Sequence, residues 1–249
     1  MILFDLKTLG SLTIGFLIKR ENRFLATAKV NEKIVKVHIA DTGRLEEILI
    51  PNRKLLLLKN RDGLKTDFTL IAVKMPTSKS DFEVKNEWVL INTKLHSKIA
   101  KKAIENGVLG FIPNIIKNEV KYKNSRLDFY IKTSKLDFEV EGFVELKGCS
   151  LVENGICLFP NAPTKRGAKH IKDLIDAVKN GFKAYILIMA VRKCRCFQPH
   201  PIIDLEFKKF FQEALKNKVI FKGFFIKIDN DLNIIYDGEL KLCRDFDKI

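Results

Sequence analysis

The chain has 249 residues, 46% of them hydrophobic, which suits one large or two ordinary globular domains and excludes a disordered chain. Lysine and arginine number 45 against 30 acidic residues, a formal net charge of +15. A field of that sign attracts polyanions, nucleic acid before an anionic membrane surface, and says nothing about the fold.

The opening "MILFDLKTLG" has an Asp inside a short apolar run and no small-residue cleavage site, so it does not read as a signal peptide. Strand-like runs follow at "GFLIKR", "RFLATAKV" and "KIVKVHIA", with "NEK" placed to join the last two as a hairpin. "DTGRLEEILIP" carries turn chemistry at Thr42-Gly43 and then one helical turn. "KLLLLKN" and "DFTLIAVKM" bring the total to about five strands with short connections, the pattern of a small barrel or a sandwich. These residues alone do not choose between the two.

A helical pattern is expected from about Glu87, with Trp88, Ile91, Leu95, Ile99 and Ile104 near helical spacing and Gly107 as its stop. Strands return at "NEVKYKN", "RLDFYIK" and "GFVELKG". An amphipathic helix follows in "TKRGAKHIKDLIDAVKNG", capped by Thr164, ended by Gly181, with Ala168, Ile171, Leu174, Ile175 and Val178 as its core stripe. "AYILIMAVR" reads as a buried strand and is far too short to span a bilayer. The helix "DLEFKKFFQEALKN" and the strands "VIFKGFFIKI" and "NIIYDGEL" close the chain. The pattern is α/β with a mixed sheet after a β-rich first third. The domain boundary is expected near Val84–Lys85, giving domains 1–84 and 85–249.

The five cysteines, Cys149, Cys157, Cys194, Cys196 and Cys243, are odd in number and form no zinc spacing. They read as reduced thiols of a cytoplasmic protein, with a Cys149–Cys157 pair the less favoured alternative. "GxGxxG" and "GxxxxGK[ST]" are absent, so no nucleotide cofactor is expected, nor is any membrane partner.

The chemistry concentrates in "SRLDFYI" and "FVELKG". Strand side chains alternate faces, so Asp128 shares a face with Tyr130, and Glu145 shares one with Lys147. If the two strands are neighbours, both carboxylates and the ammonium converge. Buried charge is costly unless paired or bound to metal. Hard cations such as Mg²⁺ are commonly held by one or two carboxylates plus phosphate. A lysine beside such an ion can orient or deprotonate the attacking water, which suits phosphodiester hydrolysis. The bland reading of an Asp and a Glu-x-Lys is a solvated strand face. Against it stand the apolar neighbours and the cations Lys165, Arg166 and Lys169, with His170, at the start of the next helix, where a phosphate is readily held.

"EVKYKNSRLDFYI", "VELKG" and "LFPNAPTKRGAKHIKDL", with the earlier "RFLATAKV" and "DTGRLEEIL", resemble the sugar fermentation stimulation protein family over nearly the whole chain. The resemblance implies an N-terminal OB-like small β-barrel and a C-terminal domain similar to the PD-(D/E)XK nucleases. It also implies DNA binding and a link to regulation of sugar catabolism. Asp128 matches the nuclease motif's central aspartate, Glu145 and Lys147 match its E-x-K, and Glu119 is the candidate for a further acid. Lys165, Arg166 and His170 match the family's basic segment. Asn161 stands where the family often has Asp, and E-L-K replaces E-V-K. Together with Lys169 of the helix start, Arg44 in a barrel loop is a candidate phosphate contact. The expectation is a cytoplasmic DNA-binding regulator, or alternatively an active endonuclease for DNA or RNA using Mg²⁺ or Mn²⁺ on Asp128 and Glu145.

Overall fold

The computed structural model of the chain describes residues 1–41, 43–76, 87–135 and 138–247. The chain forms two units. The first comprises Met1–His96, Val191–Lys193 and Ile226–Tyr236, and the second comprises Ser97–Ala190, Cys194–Phe225 and Asp237–Ile249. The boundary expected at Val84–Lys85 lies outside the described residues.

The first unit holds β1 (Ile2–Asp5), β2 (Leu12–Arg20), β3 (Leu25–Val30), β4 (Lys33–His38), β5 (Lys54–Lys59), β6 (Phe68–Lys74) and β7 (Trp88–Leu90). Six of these form a sheet in the order β4-β3-β2-β5-β6-β7, and a parallel β4–β6 pairing at Val37–Phe68 closes it. Closure is what makes it a barrel and not a sandwich. Leu17, Ala26, Ala28, Val37, Leu55 and Leu57 fill its interior. The "NEK" turn works because Asn31 and Glu32 both adopt positive φ, 46° and 63°, the twist that a tight hairpin needs.

The helix expected from Glu87 starts later. Trp88–Leu90 is a strand paired with Ala72–Lys74, and the Lys74 ammonium lies 5.2 Å from the centroid of the Trp88 ring. An aromatic followed by a β-branched residue suits the edge of the β6 sheet, and that pairing outweighs a chance helical spacing. Asn92 then caps a short 3-10 turn by accepting from Lys94 N at 3.1 Å. The α-helix itself, α1, runs only from His96 to Glu105.

The second unit continues with β8 (Ile115–Tyr122), β9 (Ser125–Lys135), β10 (Phe138–Cys149), β11 (Leu151–Glu153), β12 (Ile156–Phe159), α2 (Lys165–Lys179), β13 (Lys183–Ala190), β14 (Cys196–Pro199), α3 (Leu205–Lys216) and β15 (Ile220–Ile228), whose residues up to Phe225 belong to it. Its main sheet runs β15-β13-β10-β9-β8. β13 is parallel to both β10 and β15, while β9 is antiparallel to β10 and β8, so the sheet is mixed. α2 and α3 share a core with it through Ile171, Leu174, Ile186, Ile188, Phe207 and Phe211. Thr164 caps α2 by accepting from Gly167 N at 3.0 Å, and Gly181, at φ 88°, follows its end. The final strand, β16 (Asn233–Glu239), pairs antiparallel with β1. β1 is thus a strand within the first ten residues, where none is expected from the sequence.

Two disulfides, Cys149–Cys157 and Cys196–Cys243, correct the expectation of reduced thiols; Cys194 is buried outside them. Partners 47 residues apart cannot be read from spacing, and it is the fold that brings their Cα atoms to 5.0 Å. Among the described residues no helix is long and apolar enough to cross a membrane.

Candidate active site

β9 and β10 run antiparallel with Phe129 opposite Val144, so Asp128 and Glu145 follow one step beyond that pair. Leu127, Phe129 and Ile131 are fully buried on the other face of β9. Asp128 Oδ2 accepts the Leu146 backbone N–H at 2.7 Å. Glu145 is only 2% exposed. Its Oε1 accepts from Lys147 Nζ at 2.6 Å and from His170 Nδ1, reaching in from α2, at 2.5 Å. Arg166 Nε donates to the other ring nitrogen of His170 at 3.4 Å, which leaves Nδ1–H to serve Glu145. Glu145 Oε2 is buried and finds no hydrogen-bond partner among the described residues.

The two carboxyls are pushed in opposite directions. Burial, then the charge on Glu145, raises Asp128 to about 6; the Leu146 N–H, Lys147 and His170 offset only part of this. Burial also raises Glu145, but Lys147 and His170 together outweigh it and hold the group below its ordinary range. The result is a fixed carboxylate beside one whose charge is costly. Both are hard oxygen donors. A buried carboxylate oxygen without a partner costs free energy unless something ligates it, and a divalent cation fits that description. No cluster of three or more His, Cys, Asp and Glu side chains arranged for a metal occurs among the described residues, so phosphate or water oxygens have to complete any coordination.

The start of α2 supplies a second feature. A cleft of about 390 Å³ is lined by Lys165, Arg166, Lys169 and His170 of α2 and by Asn124, Ser125 and Arg126 at the β8–β9 turn. Lys169 Nζ donates to the Asn124 carbonyl at 3.0 Å, which anchors the helix to that turn. Lys165, Arg166 and Lys169 are exposed. Ser125 Oγ is buried with no partner among the described residues. Cations, helix N-terminus and a buried hydroxyl together suit a phosphate.

The other candidates lie apart from the carboxylates. Glu119 is an exposed residue of β8 at φ 50°, and its carboxylate pairs with Arg126 at 3.2 Å. Asn161 is half-buried between β12 and α2. Arg44 is exposed in the first unit, where the Arg20 guanidinium holds its carbonyl and that of Gly43. Its loop partner Thr42 lies outside the described residues. His170, read from sequence as a phosphate contact or proton carrier, is buried against Glu145. The signal was present: it falls on the same helical face as Gly167, Ile171 and Leu174. Ser125 and Arg126 line the cleft but carry no signal in the sequence, although they precede Asp128 by three and two residues. Only the placement of α2 against the turn brings them into that cleft.

The pattern described as "Sugar fermentation stimulation protein RE domain" matches residues 94–231, and that of the "SfsA N-terminal OB domain" matches residues 18–91. A sugar fermentation stimulation protein homolog of Thermotoga sp. (strain RQ2) is 35% identical over 94% of this chain and 96% of its own length. The homolog of Saccharolobus solfataricus is 35% identical over 92% of this chain and 85% of its own. The solved structure of Pyrococcus furiosus SfsA, described as a complex with Ca²⁺, superposes with a TM-score of 0.83 at 30% identity, covering 98% of this chain and 99% of that one.

Proposed function

The chain belongs to the sugar fermentation stimulation protein family, and from that premise we propose that it is a DNA-binding protein whose second unit carries a metal-dependent site for cleaving phosphodiester bonds, similar to that of the PD-(D/E)XK nucleases. The observation that carries this reading is the buried Glu145, held by Lys147 and His170 through one oxygen and left with the other unpartnered beside Asp128. A sheet has no packing reason to keep two carboxylates there.

Asp128 and Glu145 Oε2 would hold a divalent cation, Mg²⁺ or Mn²⁺. The calcium named with the Pyrococcus furiosus relative supports an oxygen-ligand cation in this fold. Such an ion supplies Lewis-acid stabilisation of the charge that develops on the scissile phosphate. Lys147 sets the Glu145 carboxylate and presents its remaining hydrogens to the attacking water or a phosphate oxygen. His170 fixes the Glu145 rotamer from the second side and keeps water off it. Lys165, Arg166 and Lys169, with Ser125 and Arg126, hold a neighbouring phosphate. Arg44 of the barrel is a further backbone contact. Binding of this kind is largely insensitive to sequence and steeply salt-dependent. The net charge of +15 supports it. In this reading the protein acts in the cytoplasm, and the link to sugar use that the family's name carries runs through nucleic-acid binding.

The test is strand cleavage. Labelled single-stranded, duplex and branched DNA, and an RNA, are incubated with the protein and Mg²⁺ or Mn²⁺, with Asp128→Ala and Lys147→Ala in parallel. The expected outcome is cleavage by wild type that both variants abolish. Salt-sensitive binding without cleavage, unchanged in both variants, would leave a DNA-binding regulator on an inactive scaffold and refute the catalytic half of the proposal.

A further inference from the structure

His170 meets Glu145 only if α2 sits at one height along its own axis. The core stripe of α2, with Ile171, Leu174 and Ile175, is apolar. Burial of apolar surface has no direction, so it tolerates a small slide of the helix. Directional ties have to fix the height. Residues 160–164 lead into α2, and Pro160 and Pro163 bring no N–H to bond. The Thr164 N–H goes to a carboxylate 40 residues away: Asp204 Oδ2 accepts it at 2.7 Å. The other oxygen of the same group, Oδ1, accepts from Phe207 N at 2.8 Å and caps α3. Asp204 is 9% exposed. One enclosed carboxylate therefore holds the starts of both helices, where negative charge is favoured.

The loop that presents Asp204 is itself tied down. His200 is buried, its N–H donates to the Phe159 carbonyl at 2.8 Å, and its Nδ1 accepts from Ile202 N at 3.2 Å and Ile203 N at 3.1 Å. Pro199 lies opposite Phe159 in the parallel pair of β12 and β14, so both strands end at this point. On the other side, Thr164 passes the position into α2. Its Oγ1 accepts Gly167 N at 3.0 Å, and a Cβ at Gly167 would lie 2.7 Å from Thr164 Cγ2, so only glycine lets the cap close this tightly. His170 follows Thr164 by six residues, about 9 Å along the axis. A slide of about 1 Å at the cap reaches it undiminished and takes the 2.5 Å bond between His170 Nδ1 and Glu145 Oε1 out of range. We propose that Asp204 is a positioning residue for the carboxylate site, acting through Thr164 and α2 to hold His170 on Glu145.

This role rests on the reading of Glu145 as a metal ligand, but the first readout, made without metal, does not. Imidazole ¹⁵N–¹H NMR is recorded on the metal-free whole protein, with the His170 signals identified as those lost in His170→Gln. Wild type is expected to show a His170 Nδ1–H that exchanges slowly with water. Asp204→Asn and Asp204→Ser keep the cap of α3, since Asn and Ser cap a helix about as well as Asp. Neither serves Thr164 N–H as well: the amide has one acceptor end, and the serine side chain is too short to reach both helices. Both variants are expected to keep the far-UV circular dichroism of wild type and to lose the slow His170 proton. Calorimetry with Mn²⁺ should then show affinity about tenfold weaker, the usual cost of removing a group that orients a metal ligand. Lys169→Ala cuts the tie of the same helix to Asn124 and is expected to keep the His170 signal. A slow His170 proton unchanged in Asp204→Asn and Asp204→Ser would overturn the proposal. So would its loss in Lys169→Ala alone, because the β8–β9 turn would then set the helix. Should wild type take up no Mn²⁺ and cleave no strand while the His170 proton still depends on Asp204, the metal reading fails and the positioning role stands.

Discussion

The β9–β10 sheet and the β2–β4 face of the barrel break the same solvation rule in opposite directions. In the sheet, Glu145 is 2% exposed and Lys147 nearly as enclosed, so charge is inside. On the barrel, Phe16 and Ile34 are outside. The two exceptions are not equal in weight. Exposing one ring forgoes a few kcal/mol of burial and is common. Enclosing a carboxylate costs more unless its partners are in place, which is why Lys147 and His170 both converge on one Glu145 oxygen. The inward exception is therefore the stronger sign of chemistry.

The largest effect is expected from breaking the inward cluster. Glu145→Gln should lower cleavage by about a hundredfold or more, and isothermal calorimetry should detect no Mg²⁺ or Mn²⁺ uptake by Asp128→Ala, Glu145→Ala. Glu145→Ala should also destabilise the fold by about 3 kcal/mol in urea, because it leaves the Lys147 ammonium enclosed without its partner.

A control for burial alone is His96, whose Nε2 has no partner among the described residues and which burial lowers to about 4 from 6.5. The unfolded chain takes up this proton below about 6.5 and the folded one only below about 4. Stability should therefore fall by about 2–3 kcal/mol as pH drops through that window, and His96→Phe should flatten the slope of urea midpoint against pH.

Asp128 has the reverse sign. Its folded value, about 6, exceeds the ordinary 3.8, so its contribution is full below 3.8 and is lost as pH rises through 6. Asp128→Asn should consequently raise stability at pH 7 by about 1–3 kcal/mol while removing activity. A thermal melt showing Asp128→Asn less stable than wild type would mean that the site is better satisfied than its geometry indicates. The smallest effects belong to the exposed cations. Lys165→Ala and Lys169→Ala should each weaken DNA binding only a few-fold and reduce the salt slope by about one, read by anisotropy across a salt series.

What the sequence determined by itself was local. The alternation in "RLDFYI" and "FVELKG" placed Asp128, Glu145 and Lys147 on their faces, since a strand's period of two is a property of the backbone. Thr164 and Gly181 bounded α2 because caps are decided by neighbouring residues, and Asn31-Glu32 marked the hairpin for the same reason. Trp88 lies in a strand where its spacing predicts a helix, because helix and edge strand compete there and the pairing with Lys74 that decides between them is 14 residues away. The tertiary structure alone decided the rest. It buried His170 against Glu145 across 25 residues, left Glu119 with Arg126 instead of the carboxylates, joined Cys196 to Cys243, and set Phe16 between two lysines from different strands. Each of these depends on contacts between segments distant in the chain, whose geometry is fixed only when the whole core packs.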